Sequence, residues 1–253
     1  MNAGQRQWFF GCSLAAFVGL LLWGVLGLPP LGHYRGPYGD AINQAVVAQR
    51  HATDAIAAVN FDYRGVDTIV EEFILFASVA GCTLLLRQQR DEEAGMARAR
   101  TLEGRMGQTS AAVTALGLTL AVPVALLGWY VVTHGQLTPG GGFQGGTIMA
   151  SGAVFLYLAG EYVTLRRLNP PPLLEVLEAL GAGGYILIGF ASMATGAAFL
   201  QNVLPLGRVG QVNSAGTIWV ISMSVGMEVA AAFVLLATEF MEQALGLRQR
   251  RRI

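Results

Sequence analysis

The stretch TIWVISMSVGMEVAAAFVLLATE, residues 217–239, decides the fold class, because between its two ends it contains a single ionisable side chain, Glu228. About 20 apolar residues in a helix cross a hydrocarbon core about 30 Å thick. The run lacks the alternation of polar and apolar residues that marks a strand of a membrane barrel. It therefore predicts a transmembrane helix with a carboxyl group near its middle.

Composition extends this prediction to the whole chain. Of the 253 residues, 53% are hydrophobic and 13% are charged, and a soluble domain of this composition would expose large apolar patches. Backbone polar groups inside a bilayer must be paired within their own segment, so the apolar runs must be helices. We predict an all-α integral membrane protein with about six transmembrane helices, near residues 8–28, 69–86, 112–133, 147–165, 176–200 and 217–239.

The basic residues are distributed unevenly between the two sides of the membrane. All 16 are arginines; with six spans, twelve fall at the two termini and in the loops at 87–111 and 166–175, and four fall in the opposite loops. Arginine and lysine are enriched in cytoplasmic loops. We therefore predict that both the N and the C terminus are cytoplasmic, and that the chain ends in a cytoplasmic anchor made of Arg248, Arg250, Arg251 and Arg252.

The polar stretches between the runs predict the domain organisation. Residues 29–67 are too polar to span and belong on the outer face, and the apolar spacing within residues 41–60 predicts an amphipathic helix. Residues 91–106 contain arginine and glutamate and predict a cytoplasmic linker. The linker separates a two-span region, residues 1–90, from a four-span domain, residues 107–253.

The loop between the third and fourth spans is rich in glycine, with five glycines within residues 140–146. A phosphate-binding loop would need a lysine followed by serine or threonine at the start of a helix, and this loop has neither in the required place. Glycine allows backbone angles and close contacts that other residues do not. We therefore expect a compact turn docked between helices, built on Thr138, Pro139, Gly140, Gly141, Gly142, Phe143, Gly145 and Gly146.

The same motif carries a family resemblance. The stretch TPGGGFQGG, residues 138–146, stands directly before an apolar span and closely resembles the signature of the MnhB family, a membrane component of Mrp-type multisubunit sodium/proton antiporters. The match is specific because the motif is long, lies at a helix junction and is followed by three more spans. The resemblance covers residues 107–243 and implies an MnhB-like four-span domain.

A second resemblance covers the front of the chain. Residues 60–71, NFDYRGVDTIVE, are similar to a sequence near the end of the large A subunit of those antiporters, and to the small E-type subunit of membrane-bound hydrogenases. The chain thus resembles a fusion of two neighbouring pieces. Two positions depart from the family pattern: Val70 stands where a glycine is frequent, and Ser224 where the last span commonly has a carboxylate. The second departure leaves Glu228 as a nearby substitute for the family acid.

The acids at the start of the second span are candidates for the ion path. Acidic side chains inside spans cost about 2.5–3.5 kcal/mol at the bilayer centre on insertion scales, and such residues are by default functional candidates. Asp67 and Glu71 lie one helical turn apart, shortly after Arg64, and could bind a cation or relay protons. The alternative is a group of solvated surface acids paired with Arg64. The family match favours Glu71 over its neighbour Glu72.

The later spans contain further acids. Glu228 is the deepest by position and the strongest candidate on physical grounds alone. Glu161 and Glu178 lie near the cytoplasmic ends of the fourth and fifth spans, and Glu239 near that of the last, where side chains reach water more easily. For Glu161, Glu178 and Glu239 a structural role is the preferred interpretation. Together with Arg64, Asp67 and Glu71, the residues Glu161, Glu178 and Glu228 form the predicted ion path.

Other kinds of site are disfavoured. The three histidines are scattered through outer loops without the spacing of a metal site, and the two cysteines fall within predicted spans as small core residues. The sequence has no Ser–His–Asp order, nucleotide fingerprint or basic helix for nucleic acid. We predict no metal, no cofactor, no nucleic-acid partner and no active site of the chain's own.

The resemblance implies a subunit of an assembly that exchanges sodium for protons in the inner (cytoplasmic) membrane of a bacterium or archaeon. Its partners would be the other membrane subunits, the lipid bilayer, and Na⁺ and H⁺ as transported ions. Two alternatives stay open: the same module in a hydrogenase-like or other respiratory ion-pumping complex, and a purely structural subunit that holds larger pumps in register. A self-sufficient carrier is disfavoured because the chain lacks a pair of broken helices around a midplane site.

Overall fold

The structure is a computed structural model that describes residues 3–28, 36–86 and 109–250, with the side chains of the last helix described as far as Met241. All regular elements in these residues are helical, which confirms the predicted fold class. The predicted linker 91–106 and the side chains of the four C-terminal arginines lie outside the described residues. The elements are α1 (Ala3–Leu26), α2 (Pro37–Arg50), α3 (Ala55–Ala58), a π-helical turn π1 (Val59–Tyr63), α4 (Gly65–Leu86), α5 (Ala111–Thr133), α6 (Gly142–Leu158), α7 (Tyr162–Leu168), α8 (Pro171–Ala194) and α9 (Thr217–Arg250).

Five helices of the described residues are long and apolar enough to cross a membrane: α1, α4, α5, α8 and α9. The fourth predicted span differs from the prediction, because α6 has 17 residues and ends at Leu158. Gly160 follows with a φ of +86°, a left-handed conformation that glycine adopts at little cost and that ends a helix. Spans of about 17 residues are the shortest in common use. The cytoplasmic placement of the termini stays a prediction.

The amphipathic helix predicted for residues 41–60 is interrupted. Helix α2 ends at Arg50, and His51 adopts a φ of +51°. Asp54 then caps α3, since its carboxylate accepts hydrogen bonds from the backbone N–H groups of Ile56 and Ala57 at 3.1 and 3.3 Å. An aspartate in this position satisfies N–H groups that the first turn of a helix leaves unpaired. A new helix therefore begins where the apolar pattern predicted a continuous one.

The described chain divides into two compact units, Met1–Ala41 and Ile42–Ile253. In the first unit, the apolar part of α1 has no buried residue. In the second unit, α9 is the central helix, and α4, α5, α6 and α8 pack against it. Of the apolar part of α9, 61% is buried, compared with 17% for α4 and for α5. The centre of α9 is thus shielded from lipid by the chain itself.

Glycines let the helix backbones approach closely around α6. A Cβ atom added at Gly145 would lie 2.6 Å from the carbonyl oxygen of Gly128 on α5. On its other face, a Cβ at Gly146 would lie 2.9 Å from the carbonyl oxygen of Gly226 on α9. Small residues at such contacts let helices pack tightly in lipid. The second half of the glycine motif therefore holds α6 between α5 and α9.

The turn before α6 docks onto the front part of the chain. Gln136 is fully buried, and its backbone carbonyl accepts hydrogen bonds from the N–H groups of Thr53 and Asp54 at 3.0 and 3.1 Å. Gly140 and Gly141 have φ values of +151° and +128°, which strain a side-chain-bearing residue. These hydrogen bonds join the turn before α6 to the segment that links α2 to α3.

Candidate functional site

Glu228 lies near the middle of a membrane-spanning helix and is fully buried. It stands eleven residues after the start of a 25-residue span, Thr217–Met241, and its exposed fraction is 0%. Within the described part of the chain, neither of its carboxyl oxygens has a hydrogen-bond partner. Burying a polar group without a partner is costly, and burying an unpaired charge costs far more. If this position served only for packing, an apolar side chain would be more stable there than glutamate.

Close packing of α8 brings a helix backbone directly against Glu228. A Cβ atom added at Gly181 would lie 2.6 Å from the backbone nitrogen of Glu228. One turn away, the hydroxyl of Ser224 donates a hydrogen bond of 2.9 Å to the carbonyl oxygen of Gly181. Gly184 in turn packs against Ser224, so α8 and α9 run antiparallel at this crossing. The glycine cluster of the fifth predicted span thus fixes the depth and orientation of Glu228.

Two further buried carboxyl groups face Glu228 from neighbouring helices. Glu178 lies one turn from Gly181 on α8 and is 4% exposed, and Glu72 on α4 is 3% exposed. Both are close enough to Glu228 to interact with it electrostatically. In each, one carboxyl oxygen has no hydrogen-bond partner among the described residues. Glu72, Glu178 and Glu228, here called the acidic cluster, therefore come from three helices to one place in the bundle.

The surroundings of the acidic cluster are apolar. Along α9, Val225 and Val229 belong to one buried hydrophobic cluster, while Ala231, Ala232 and Leu235 belong to a second. None of the ion pairs in the described residues involves Glu72, Glu178 or Glu228. In the same residues, no group of three or more histidine, cysteine, aspartate or glutamate side chains is arranged to hold a metal ion. The carboxyl groups are therefore held in place by packing, and no compensating cation comes from the described residues.

At the start of α4, the structure separates neighbouring acids. Arg64 and Asp67 form an ion pair on the surface, with 62% and 52% of their side chains exposed. Such exposed pairs contribute about 0–1 kcal/mol. Glu71 is exposed and Glu72 is buried. The signal that sequence reasoning missed is the stripe formed by Thr68, Glu72, Val79 and Thr83, which are all buried on α4 at helical spacing. A role for Glu71, Asp67 or Arg64 in the ion path stays a prediction.

The other predicted acids lie elsewhere. Glu161 stands in the break between α6 and α7, where it accepts a hydrogen bond of 2.8 Å from the hydroxyl of Thr164. Glu239 is 7% exposed on α9, and eleven residues of helix place it about 16 Å from Glu228. Of the six predicted residues, the structure brings Glu178 and Glu228 together and adds Glu72.

Tyr185 is a buried polar residue that the sequence analysis did not identify. It is fully buried on α8, and its hydroxyl donates a hydrogen bond of 2.9 Å to the carbonyl oxygen of Gly65, the first residue of α4. Its ring makes an edge contact with Phe61 of π1. Tyr185 thus ties α8 to the start of the helix that carries Glu72. A single tyrosine in an apolar run gives no sequence signal for this role.

Comparison with known proteins supports the family resemblance. Residues 111–235 match the family described as a domain related to the MnhB subunit of the Na⁺/H⁺ antiporter. An uncharacterized protein of Methanocaldococcus jannaschii is 28% identical over 241 residues, which is 87% of this chain and 88% of that protein. The B-type component of the Na⁺/H⁺ antiporter of Bacillus subtilis is 39% identical over 81 residues, 31% of this chain and 54% of that component.

Two solved complexes contain a similar fold. A chain of the membrane-bound sulfane sulfur reductase, an archaeal respiratory membrane complex, is 26% identical with a TM-score of 0.70, covering 93% of this chain and 98% of that one. A chain of the Mrp complex from Dietzia sp. DQ12-45-1b superposes with a TM-score of 0.68 at 17% identity, over 94% of this chain but 26% of the longer one. The predicted resemblance is thus confirmed: residues 111–235 of this multi-pass membrane protein match the family of domains related to the MnhB subunit of Na⁺/H⁺ antiporters.

Proposed function

We propose that the chain is a membrane subunit of an Mrp-type complex that exchanges sodium ions for protons, and that the acidic cluster lies on the ion path. The observation that carries the proposal is Glu228, which is fully buried at mid-span with both carboxyl oxygens unpaired among the described residues. Ionisable residues within membrane spans mark ion pathways and proton relays. The chain contributes a set of ion-binding carboxyl groups and has no active site of its own.

Its partners in this proposal are the other membrane subunits of the complex. The antiporter component from Bacillus subtilis and the Mrp complex from Dietzia are the relatives that support an antiporter. The apolar outer faces of α5 and α8, with exposed Leu116, Leu126, Leu180 and Leu187, are the surfaces available to lipid and to those subunits. A prokaryotic cytoplasmic membrane is the expected location.

The test is sodium-driven proton transport in vesicles that contain the whole complex, followed with a pH-sensitive dye. The variants Glu228→Gln and Glu72→Gln keep the size of each side chain and remove its ability to carry charge. Glu71→Gln is the matched control, because it removes an exposed carboxyl group from the next position of the same helix. Equal assembly is established first by purifying each complex through a tag on another subunit.

We expect transport to fall at least tenfold in Glu228→Gln and Glu72→Gln, and to persist in Glu71→Gln. If the two cluster variants assemble and transport at the normal rate, the chain is a purely structural subunit and the proposed ion path is wrong. If Glu71→Gln alone abolishes transport, the ion path runs along the outer face of α4, against a neighbouring subunit.

A second candidate is a subunit of a respiratory complex in which redox chemistry on other subunits drives the ion movement. The observation in its favour is the match to almost the whole of a chain of the sulfane sulfur reductase complex. Mass spectrometry of the subunits that copurify with the chain distinguishes the two: cofactor-binding subunits support the respiratory complex, and antiporter subunits alone support the exchanger. The role of the acidic cluster is the same in both.

A further inference from the structure

The chemistry of the acidic cluster also indicates which ion it takes, an inference that rests on the proposed function. Three carboxyl groups with exposed fractions of 0%, 3% and 4% lie on three helices, α4, α8 and α9, that pack against one another. Moving one carboxylate out of water costs several kcal/mol even after the protein relaxes. Neighbouring negative charges add repulsion that a low dielectric strengthens. Such a cluster must bind a counter-ion or carry protons.

Among the described residues, the side chains around Glu228 are not arranged as a cation site. A cation held in a protein needs several oxygen ligands arranged around one point, from carboxylates, carbonyls or water. In the part of the chain that the structure describes, no group of three acidic or other metal-binding side chains has that arrangement. On the facing helix, the backbone carbonyl of Gly181 already accepts the hydroxyl of Ser224. Close contact between α8 and α9 at Gly181 places the backbone of α8 directly against the Cα and Cβ of Glu228.

Several other titratable groups on the elements packed against α9 make contacts of their own. Asp62 of π1 forms an ion pair with Arg50 at 2.6 Å, and the hydroxyl of Tyr185 donates a hydrogen bond to the carbonyl oxygen of Gly65. On α5 and α6, Tyr130 stacks on His134 and Tyr157 packs edge-on against Tyr162. Glu72 and Glu178 are the groups that interact with Glu228.

We propose that the cluster of Glu72, Glu178 and Glu228 binds protons and not sodium ions, and that it forms the proton branch of the exchanger. Each carboxyl group that gives up its proton becomes a carboxylate, and a neighbouring carboxylate that accepts the proton becomes neutral. A transfer within the cluster thus leaves its total charge unchanged. Sodium ions cross at oxygen ligands outside the cluster.

The experiment uses the purified whole complex and two measurements that do not depend on transport. The first is infrared difference spectroscopy between high and low pH, in which a protonated carboxyl group gives a band that shifts in deuterated water. The second is equilibrium binding of radioactive ²²Na⁺. Wild type is compared with Glu228→Gln and Glu72→Gln, and with Asp40→Asn, which removes an exposed carboxyl group on α2, as the control.

We expect each cluster variant to lose part of the carboxyl band, while the number and affinity of bound ²²Na⁺ ions stay within twofold of wild type. The control should change neither measurement. Loss of one bound ²²Na⁺ in Glu228→Gln or Glu72→Gln, or an unchanged infrared band in both, overturns the proton assignment. The two proposals fail separately: normal transport in the variants refutes the ion path, whereas abolished transport together with lost ²²Na⁺ binding upholds the path and refutes the proton assignment.

Discussion

Gly181→Ala tests whether the packing of α8 against α9 sets the position of Glu228. The added Cβ would lie 2.5–2.7 Å from the Cβ, nitrogen and Cα of Glu228, which are parts of a helix backbone that cannot rotate away. Forcing an extra methyl group into a well-packed contact costs about 1–3 kcal/mol. Replacing a glycine inside a helix with alanine also raises the free energy of unfolding by about 0.5–1 kcal/mol, because the unfolded chain loses conformational freedom.

A second glycine on the same helix serves as a control for the gain in stability that any glycine-to-alanine change in a helix brings. Gly183 lies two residues along α8, and a Cβ there would meet nothing within 4 Å. Gly183→Ala therefore raises the free energy of unfolding through the helix preference of alanine, without a steric clash. The difference in the free energy of unfolding between the two variants isolates the contact, and we expect Gly181→Ala to be less stable by about 1–3 kcal/mol, a factor of about 5 to 150 in the ratio of folded to unfolded protein.

The assay is unfolding of the purified chain by sodium dodecyl sulfate in mixed micelles, followed by near-ultraviolet circular dichroism. Equal stability of the two variants would refute the close approach of α8 to Glu228. In the whole complex, Gly181→Ala should also reduce transport, while Gly183→Ala should not.

Two further predictions concern the polar groups near the start of α4. Tyr185→Phe removes the hydrogen bond to the carbonyl of Gly65 and should lower the free energy of unfolding by about 0.5–1.5 kcal/mol, whereas Tyr130→Phe, at a half-exposed ring, should leave it unchanged in the same assay. Burial raises the pKa of Asp54 above its ordinary value of 3.8, against backbone hydrogen bonds that lower it. The folded protein thus holds this proton more tightly than the unfolded chain, so the contribution of Asp54 to stability is complete below pH 3.8 and is lost as pH rises through the folded-state pKa. Asp54→Asn keeps a capping side chain and should flatten that part of the pH dependence; an unchanged slope would show that Asp54 does not titrate differently on folding.

Much of the fold could be predicted because the bilayer leaves few choices. Apolar runs of about 20 residues must be helices in lipid, and five of the six predicted runs correspond to long helices or their larger part. The short fourth span could not be predicted, because its end depends on the left-handed backbone at Gly160 within a run that stays apolar on both sides. The break at His51 was missed for a similar reason: it follows from the cap at Asp54, which overrides the spacing of apolar residues.

The candidate site could be predicted in part. Glu228 was identified from its position alone, since an acid at mid-span must be shielded by the bundle or by a partner. The family match favours Glu71 over Glu72, but the sequence does not show which of the two faces inward, because adjacent residues on a helix differ by about 100° in direction and only the packing partner decides this. Glu178 lies near a predicted helix end, and the sequence analysis therefore expects its side chain to reach water. In the structure the contact of Gly181 with α9 buries that turn of α8 as well. The role of Glu178 stays a prediction.

The contacts described between α4 and the rest of the bundle are made by residues outside the segment 87–108. Helix α4 packs against α8 and α9, and the turn at Gln136 binds residues 53–54 through backbone hydrogen bonds. A cut between the two regions would sever none of these contacts; it would remove the high effective concentration that a covalent connection provides. Confinement of both pieces to one membrane restores part of that advantage. In the Dietzia complex a similar fold takes up 26% of one longer chain. The interface of α4 with its neighbours is thus already suited to be a boundary between subunits, and one gene, two genes or a segment of a larger gene can encode the same bundle.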